Sequence, residues 1–459
     1  MKKQLWIGLS MMLLAALLLG ACGTPATEAP VEPVATEAPA APPAAEGGEV
    51  YFLNFKPEVA EIYAAIGDAY LAETGVTLKV VTAAAGTYEQ TLKSEIAKAD
   101  APVLFQINGP IGYASWKDYT ADLSGTELYQ HLSDQSMAVT DGEGVYGIPY
   151  VVEGYGIIYN DAIMDKYFAL PGAEAASMAE VNTFATLKAV VEDMTVKKAE
   201  LGIEGVFSST SLKPGEDWRW QTHLANVPVF YEWRDNDIDL ASDATQEITF
   251  QYAANFQNIF DLYLNNSVTL PTLLGSKSVD DSMAEFALGR SAMVQNGNWA
   301  WGQISGVEGN VVLAEDVKFL PIYTGMAGEE AQSICVGTEN FFAINSQASP
   351  EKQKLAADFI YWLFSSPTGK AFVTNDLKFI APFDTFTEDE KPTDPLAREV
   401  SRYVSNTDLY NVSWNFVKFP SQTFKENFGA ALLQYAQGQL AWADVETLVI
   451  DQWKAESGK

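Results

Sequence analysis

Three short apolar runs, VYFLNF at 50–55, TLKVVTA at 77–83 and APVLFQI at 101–107, are separated by stretches with helical periodicity. In the first stretch, PEVAEIYAAIGDAYLAETG, the residues Val59, Ile62, Tyr63, Ile66, Ala69 and Tyr70 share one helical stripe, and Gly75 ends it. The second carries Tyr88, Leu92 and Ile96. Strands alternating with helices imply parallel pairs joined by right-handed crossovers. The chain is therefore predicted to build α/β layers, with ligands at the carboxyl ends of strands. That directs attention to the loops at 54–57, 84–88 and 108–113.

From Glu49 onward roughly 410 residues remain, more than one ordinary core organises, so two domains are expected. The region from Ala185 to Trp301 is richer in helix signals and holds Trp218, Trp220, Trp233, Trp299 and Trp301. The α/β style returns at 317–364 with VKFLPIY, TENFFAI and PEKQKLAADFIYWLF, whose stripe includes Leu355, Phe359, Trp362 and Leu363. The tail is helical, with Phe428, Leu432, Leu433 and Tyr435 as apolar contacts. A chain that changes style and then returns predicts interleaved lobes: 49–151 with about 317–366, and about 152–316 with about 367–459.

The N-terminus has its own logic. Lys2 and Lys3 precede an apolar run from Leu5 to Leu19, and Leu19-Gly20-Ala21-Cys22 follows. This is the layout of a cleaved signal peptide over residues 1–21, too short and wrongly flanked for a permanent span. Cys22 stands where a bacterial lipobox places the thiol that becomes acylated, so it is expected to carry the lipid (palmitate among its chains) that anchors the protein to the cell membrane. Residues 24–48, TPATEAPVEPVATEAPAAPPAAEGG, repeat ATEAP, are rich in proline and lack aromatics. Such a segment cannot bury enough surface to fold and is predicted to be an extended tether, reaching on the order of 75 Å.

Acidic residues outnumber basic ones by 60 to 28, a formal charge of −32. That argues against nucleic acid and polyanionic partners and permits neutral or cationic ones. Cys335 is the only cysteine besides Cys22, so no intrachain disulfide remains after lipidation. Signals of catalysis are scarce: two histidines, His131 and His223, no HExxH, no Cys/His cluster, no GxSxG and no Gly-rich phosphate cradle. No metal or cofactor is expected. DNDID at 235–239 begins like a calcium loop, but Leu240 stands where glycine is needed and Gln246 where glutamate is. It reads as an acidic surface turn.

Three stretches carry more information. YGIPYVVEGYGIIYND, at 146–161, sets Glu153 between apolar runs beside Gly154 and Gly156. A carboxylate there is either a structural ion-pair member or an acceptor facing a cleft. VLFQINGPIGYASW spans 103–116, and FALGRSAMVQNGNWAWGQI spans 286–304. Their pattern and order resemble the extracellular solute-binding proteins of sugar ABC importers, the maltose-binding-protein-like group (family 1). The resemblance runs the length of the mature chain, including ICVGTENFFAI at 334–344. It implies a type II periplasmic-binding-protein fold, two α/β lobes with mostly parallel sheets joined by a multi-strand hinge. It also implies a monomer, without enzymatic activity, that passes its ligand to ABC permease subunits.

On that resemblance Glu153 accepts from sugar hydroxyls and Trp299 stacks on the sugar. Asn108 takes the place of an aspartate common in maltose binders, and Phe105 that of a tryptophan, which puts maltose itself in doubt. An indole covers the aliphatic face of a pyranose well, so Trp299 is assigned to the ligand and Trp301 to packing. Tyr155 would point the same way as Glu153 on a strand. Tyr88 fits either cleft or core. In GEDWRWQTH, at 215–223, either Trp218 or Trp220 would form the second lobe's wall, with Asp217 as a polar candidate. Two other readings stay open: a binder of a cationic molecule such as a polyamine, and a surface-anchored glycoside hydrolase.

Overall fold

The computed structural model describes residues 47–457 apart from 85 and 241–243; the signal segment, Cys22 and most of the tether lie outside them. The first three apolar runs become β1 (Glu49–Asn54), β2 (Thr77–Thr82) and β3 (Leu104–Asn108), with β1 parallel to both neighbours. Three more strands complete this first sheet: β4 (Val139–Asp141), β5 (Gly144–Pro149) and β11 (Asn340–Ile344), in the order β2-β1-β3-β11-β5-β4. The second sheet is built from β6 (Glu153–Asn160), β7 (Gly205–Phe207), β8 (Ser291–Gly297), β10 (Gln332–Gly337) and β12 (Tyr410–Ser413). Its order is β12-β10-β6-β8-β7, with β9 (Val317–Leu320) also paired to β6.

Both sheets are mixed. β11 runs antiparallel to β3 and β5, and β6 antiparallel to β8, β9 and β10. The reason is connectivity: a strand that has just crossed from the other lobe enters from the opposite end to one delivered by a local crossover helix.

Helices cover the sheets as their stripes require. Helix α1 (Ala60–Thr74) buries Tyr63, Ile66 and Tyr70, and Gly75 closes it in a left-handed conformation. Phe52 of β1 meets Tyr63 edge-on at 5.2 Å, and Tyr70 meets Phe359 of helix α2 (Pro350–Ser365) at 5.1 Å. Each such buried side chain contributes roughly 1.5–3 kcal/mol. Among the described residues no helix is long and apolar enough to cross a membrane.

The chain crosses between sheets at residues 150–152 and again at 338–339. The expected return to the first lobe near 317 is corrected: β9 and β10 belong to the second sheet, and only β11 rejoins the first. The later boundary near 367 also moves, because Val373, Leu377, Phe379 and Phe383 pack in the first lobe's core. The second lobe resumes with the helix Pro395–Val404, whose Leu396 and Val400 pack with Phe319 and Ile334. Strand periodicity reports that a segment is a strand and is silent on which sheet receives it.

Candidate functional site

The turn after β8 ties itself to the start of β6. Asn298 accepts from the Gly154 amide through Oδ1 and donates its own amide to the Gly154 carbonyl, both at 2.9 Å. Trp299 therefore sits beside Glu153. Gly297 is required here, since any side chain on it would collide with the Trp299 indole folded back over the strand end. Trp299 is partly exposed and its Nε1 has no hydrogen-bond partner. Trp301 packs instead against the cluster containing Ile304 and Phe286.

Lys56 arrives from the other lobe. Asn54 at the end of β1 shapes the following loop, donating to the Lys56 carbonyl at 2.7 Å and accepting from its amide at 3.1 Å. The Lys56 Nζ then reaches Glu153 Oε1 at 2.7 Å, with Glu58 at 3.9 Å and the Trp299 ring centroid at 5.9 Å. Burial disfavours this ammonium, but Glu153 and Glu58 outweigh it and hold its pKa above the ordinary lysine range.

The second lobe supplies an aromatic wall. Trp218 precedes a π-helical turn, Arg219–Leu224, that brings His223 round to the same side. Trp218 and His223 lie 6.0 and 5.7 Å from Trp299, and Trp414 meets it edge-on at 6.4 Å. Burial, together with the nearby cations Arg219, Lys425 and Lys56, keeps His223 neutral well below its usual titration range.

Where the lobes meet, the floor is polar. Glu339, in the second crossing, is pushed up by burial while Lys425 and Lys56 pull it down. Lys425, on helix α3 (Gln422–Ala436), has its pKa lowered by burial, with Glu339 and Glu89 acting the other way. Glu89 comes from the first lobe and accepts from Trp116 Nε1 at 3.0 Å. Asn108 and Asn340 are paired in register on β3 and β11, and the Oδ1 of each is buried without a partner. Thr338 Oγ1 and Trp414 Nε1 are likewise unpartnered. Unsatisfied buried polar atoms are uncommon in folded proteins, and those gathered at this junction are groups that a polar ligand or water can satisfy.

The lobes also touch through backbone. A Cβ on Gly86, in the loop after β2, would stand 2.7 Å from the Gly215 carbonyl oxygen of the second lobe.

The sequence candidates thus separate. Glu153, Trp299, Trp218 and Asn108 gather at this junction. Trp220 does not: it is buried, donates to the Ser211 carbonyl at 3.1 Å and packs on Phe260 and Tyr263. Tyr88 is also a core residue, its hydroxyl donating to the Gln106 carbonyl at 3.0 Å and accepting from the Gln106 amide at 2.7 Å. Tyr155 is fully buried; it donates to the His223 carbonyl at 3.0 Å and stacks on the imidazole at 4.1 Å, so it supports the wall from behind. Asp217 is buried too, and burial pushes its pKa up to about 6. Lys56, His223, Glu339, Lys425, Arg219 and Trp414 were missed. Lys56 lies in one of the three loops that strand ends single out, Arg219 and His223 lie within GEDWRWQTH, and Glu339 within ICVGTENFFAI; Lys425 and Trp414 had no signal.

Two α/β lobes joined by short crossings, with aromatic and polar side chains gathered at their junction, define a two-lobed binding protein of type II. The chain belongs to the bacterial extracellular solute-binding proteins, whose family model matches residues 65–399. Among solved structures, RafE in complex with raffinose is similar at 16% identity and a TM-score of 0.66, covering 88% of this chain and 99% of that one. A chitin oligosaccharide binding protein is similar at 14% identity and 0.67, over 90% and 99%. The GacH receptor of Streptomyces glaucescens, solved unliganded and with acarbose, is similar at 18% and 0.62, over 90% and 99%. No curated protein matches the chain in sequence.

Proposed function

We propose that this protein captures a sugar or oligosaccharide between its lobes and passes it, chemically unchanged, to the permease of an ABC importer. The lipid expected on Cys22 and the tether would keep that transfer at the membrane. The observation that carries the reading is the juxtaposition of Trp299, partly exposed with its indole N–H buried and unpartnered, and the Lys56–Glu153 pair. An indole face suits the aliphatic side of a pyranose. Lys56 engages one oxygen of Glu153, leaving the other for a hydroxyl. Hydrogen bonds to charged groups contribute about 1.5–3 kcal/mol each and neutral ones about 0.5–1.5. Closure of the lobes on the ligand follows the hinge mode of two-lobed binders. The raffinose, chitin-oligosaccharide and acarbose binders of the same fold support a saccharide.

A polyamine would need a cage of carboxylates, whereas Lys56 and Lys425 alternate here with Glu153, Glu339 and Glu89. That alternation favours the saccharide. Isothermal titration of the protein with a panel of oligosaccharides and with spermidine is the test. Binding of a saccharide that weakens at least tenfold in Trp299→Ala supports the proposal; binding of spermidine alone overturns it.

A further inference from the structure

Arg219 opens the π-helical turn and is 4% exposed. In a chain with 60 acidic residues, none of the described carboxylates lies within ion-pair distance of its guanidinium. Nε donates to Asn296 Oδ1 at 3.1 Å, and Nη1 is buried with no acceptor. The guanidinium carbon stands 3.8 Å from the Trp218 ring centroid. Stacking on an indole offsets only part of the desolvation of a buried cation, which is why interior charges are normally paired. The buried pair of Lys56 and Glu153, at 2.7 Å, follows that rule, as does the buried Glu285 carboxylate with Lys277 at 3.2 Å.

The position of Arg219 indicates what would pair with it. The Trp218 ring beneath it is 6.0 Å from Trp299. Trp218 and Trp299 line the junction, so the guanidinium stacked on Trp218 lies close to the gap between lobes. The cavity it lines with Ser208, Ser211 and Gln295 is small, with room for about one water. An anion larger than that must come from the gap. With Nε taken by Asn296 and Nη1 buried without an acceptor, the guanidinium keeps donor capacity that a carboxylate suits.

We propose that Arg219 receives a carboxylate carried by the bound saccharide, so that the ligand class is an oligosaccharide bearing a uronic acid. This rests on the saccharide reading above. The charge of −32 disfavours polyanions, but a single carboxylate at Arg219 responds mainly to the charges close to it, because distant surface charges are screened beyond roughly 8–10 Å.

The test is calorimetry on the intact protein with oligosaccharides carrying one glucuronate or galacturonate, each beside its carboxyl-reduced neutral counterpart. The acid forms are expected to bind at least tenfold more tightly than the reduced ones. Arg219→Gln is expected to abolish that preference, and Arg219→Lys to keep part of it, with thermal melts confirming that both variants fold. Equal binding of acid and reduced forms, or a preference unchanged in Arg219→Gln, overturns this proposal and leaves the saccharide reading standing. Binding of none of the saccharides, acid or neutral, overturns both.

Discussion

The Lys56 ammonium, from the loop after the first strand of one lobe, lies 2.7 Å from the carboxylate of Glu153, the first residue of the central strand of the other. Both side chains are buried, at 8% and 4% exposure. Removing one partner of such a pair leaves an uncompensated interior charge, at a cost of about 3–5 kcal/mol. Lys56→Met is expected to show a loss of that order in equilibrium denaturation, and Lys56→Met with Glu153→Gln to recover much of it. Additive losses would mean that the two groups do not act as a pair.

Trp218 and Trp220 are separated by one residue and have opposite surroundings. Trp220→Ala empties a packed site and is expected to cost about 3–5 kcal/mol. Trp218→Ala removes a partly exposed ring and the stacking on Arg219, about 1–2 kcal/mol, while weakening saccharide binding. Denaturation and calorimetry on the two variants separate the roles.

Gly86 has a φ of +71° and faces the Gly215 carbonyl. Gly86→Val adds a branched side chain where neither the backbone conformation nor the space admits one. The variant is expected to hold the lobes apart, with a larger radius of gyration in solution scattering and at least tenfold weaker ligand binding. Unchanged scattering and affinity would show that this contact does not limit closure.

Asp217 has a pKa pushed up from 3.8 to about 6 by burial. The folded state therefore binds the proton more tightly than the unfolded state between those values. Stability attributable to this group is highest below about pH 4 and falls as pH rises toward 6. Asp217→Asn is expected to raise stability at pH 7 by about 1–3 kcal/mol, with the gain fading below pH 4. Thermal melts across that range give the sign directly.

Several of these relationships were legible beforehand. The family resemblance of FALGRSAMVQNGNWAWGQI singles out Trp299, and the placement of Glu153 between apolar runs singles out a carboxylate beside a crossing. The loop 54–57 was marked by strand ends alone. Lys56 within it was not, because a lysine in a loop looks the same whether it faces solvent or a partner 97 positions away. Tyr155 was assigned to the cleft by strand alternation. The alternation gives the face of the sheet, and His223 had already filled the space on that face.

What the chain's own order of residues determined is local: where helices and strands form, where turns interrupt them, and which short stretches hold unusual chemistry. These follow from backbone geometry and periodicity within a few residues of each position. Tertiary structure alone decided which sheet receives β9 and β10, which of two neighbouring tryptophans is sealed, and which lysine meets Glu153. Those outcomes depend on burial and on charges brought together from distant segments, and desolvation acts only once the lobes have formed around them.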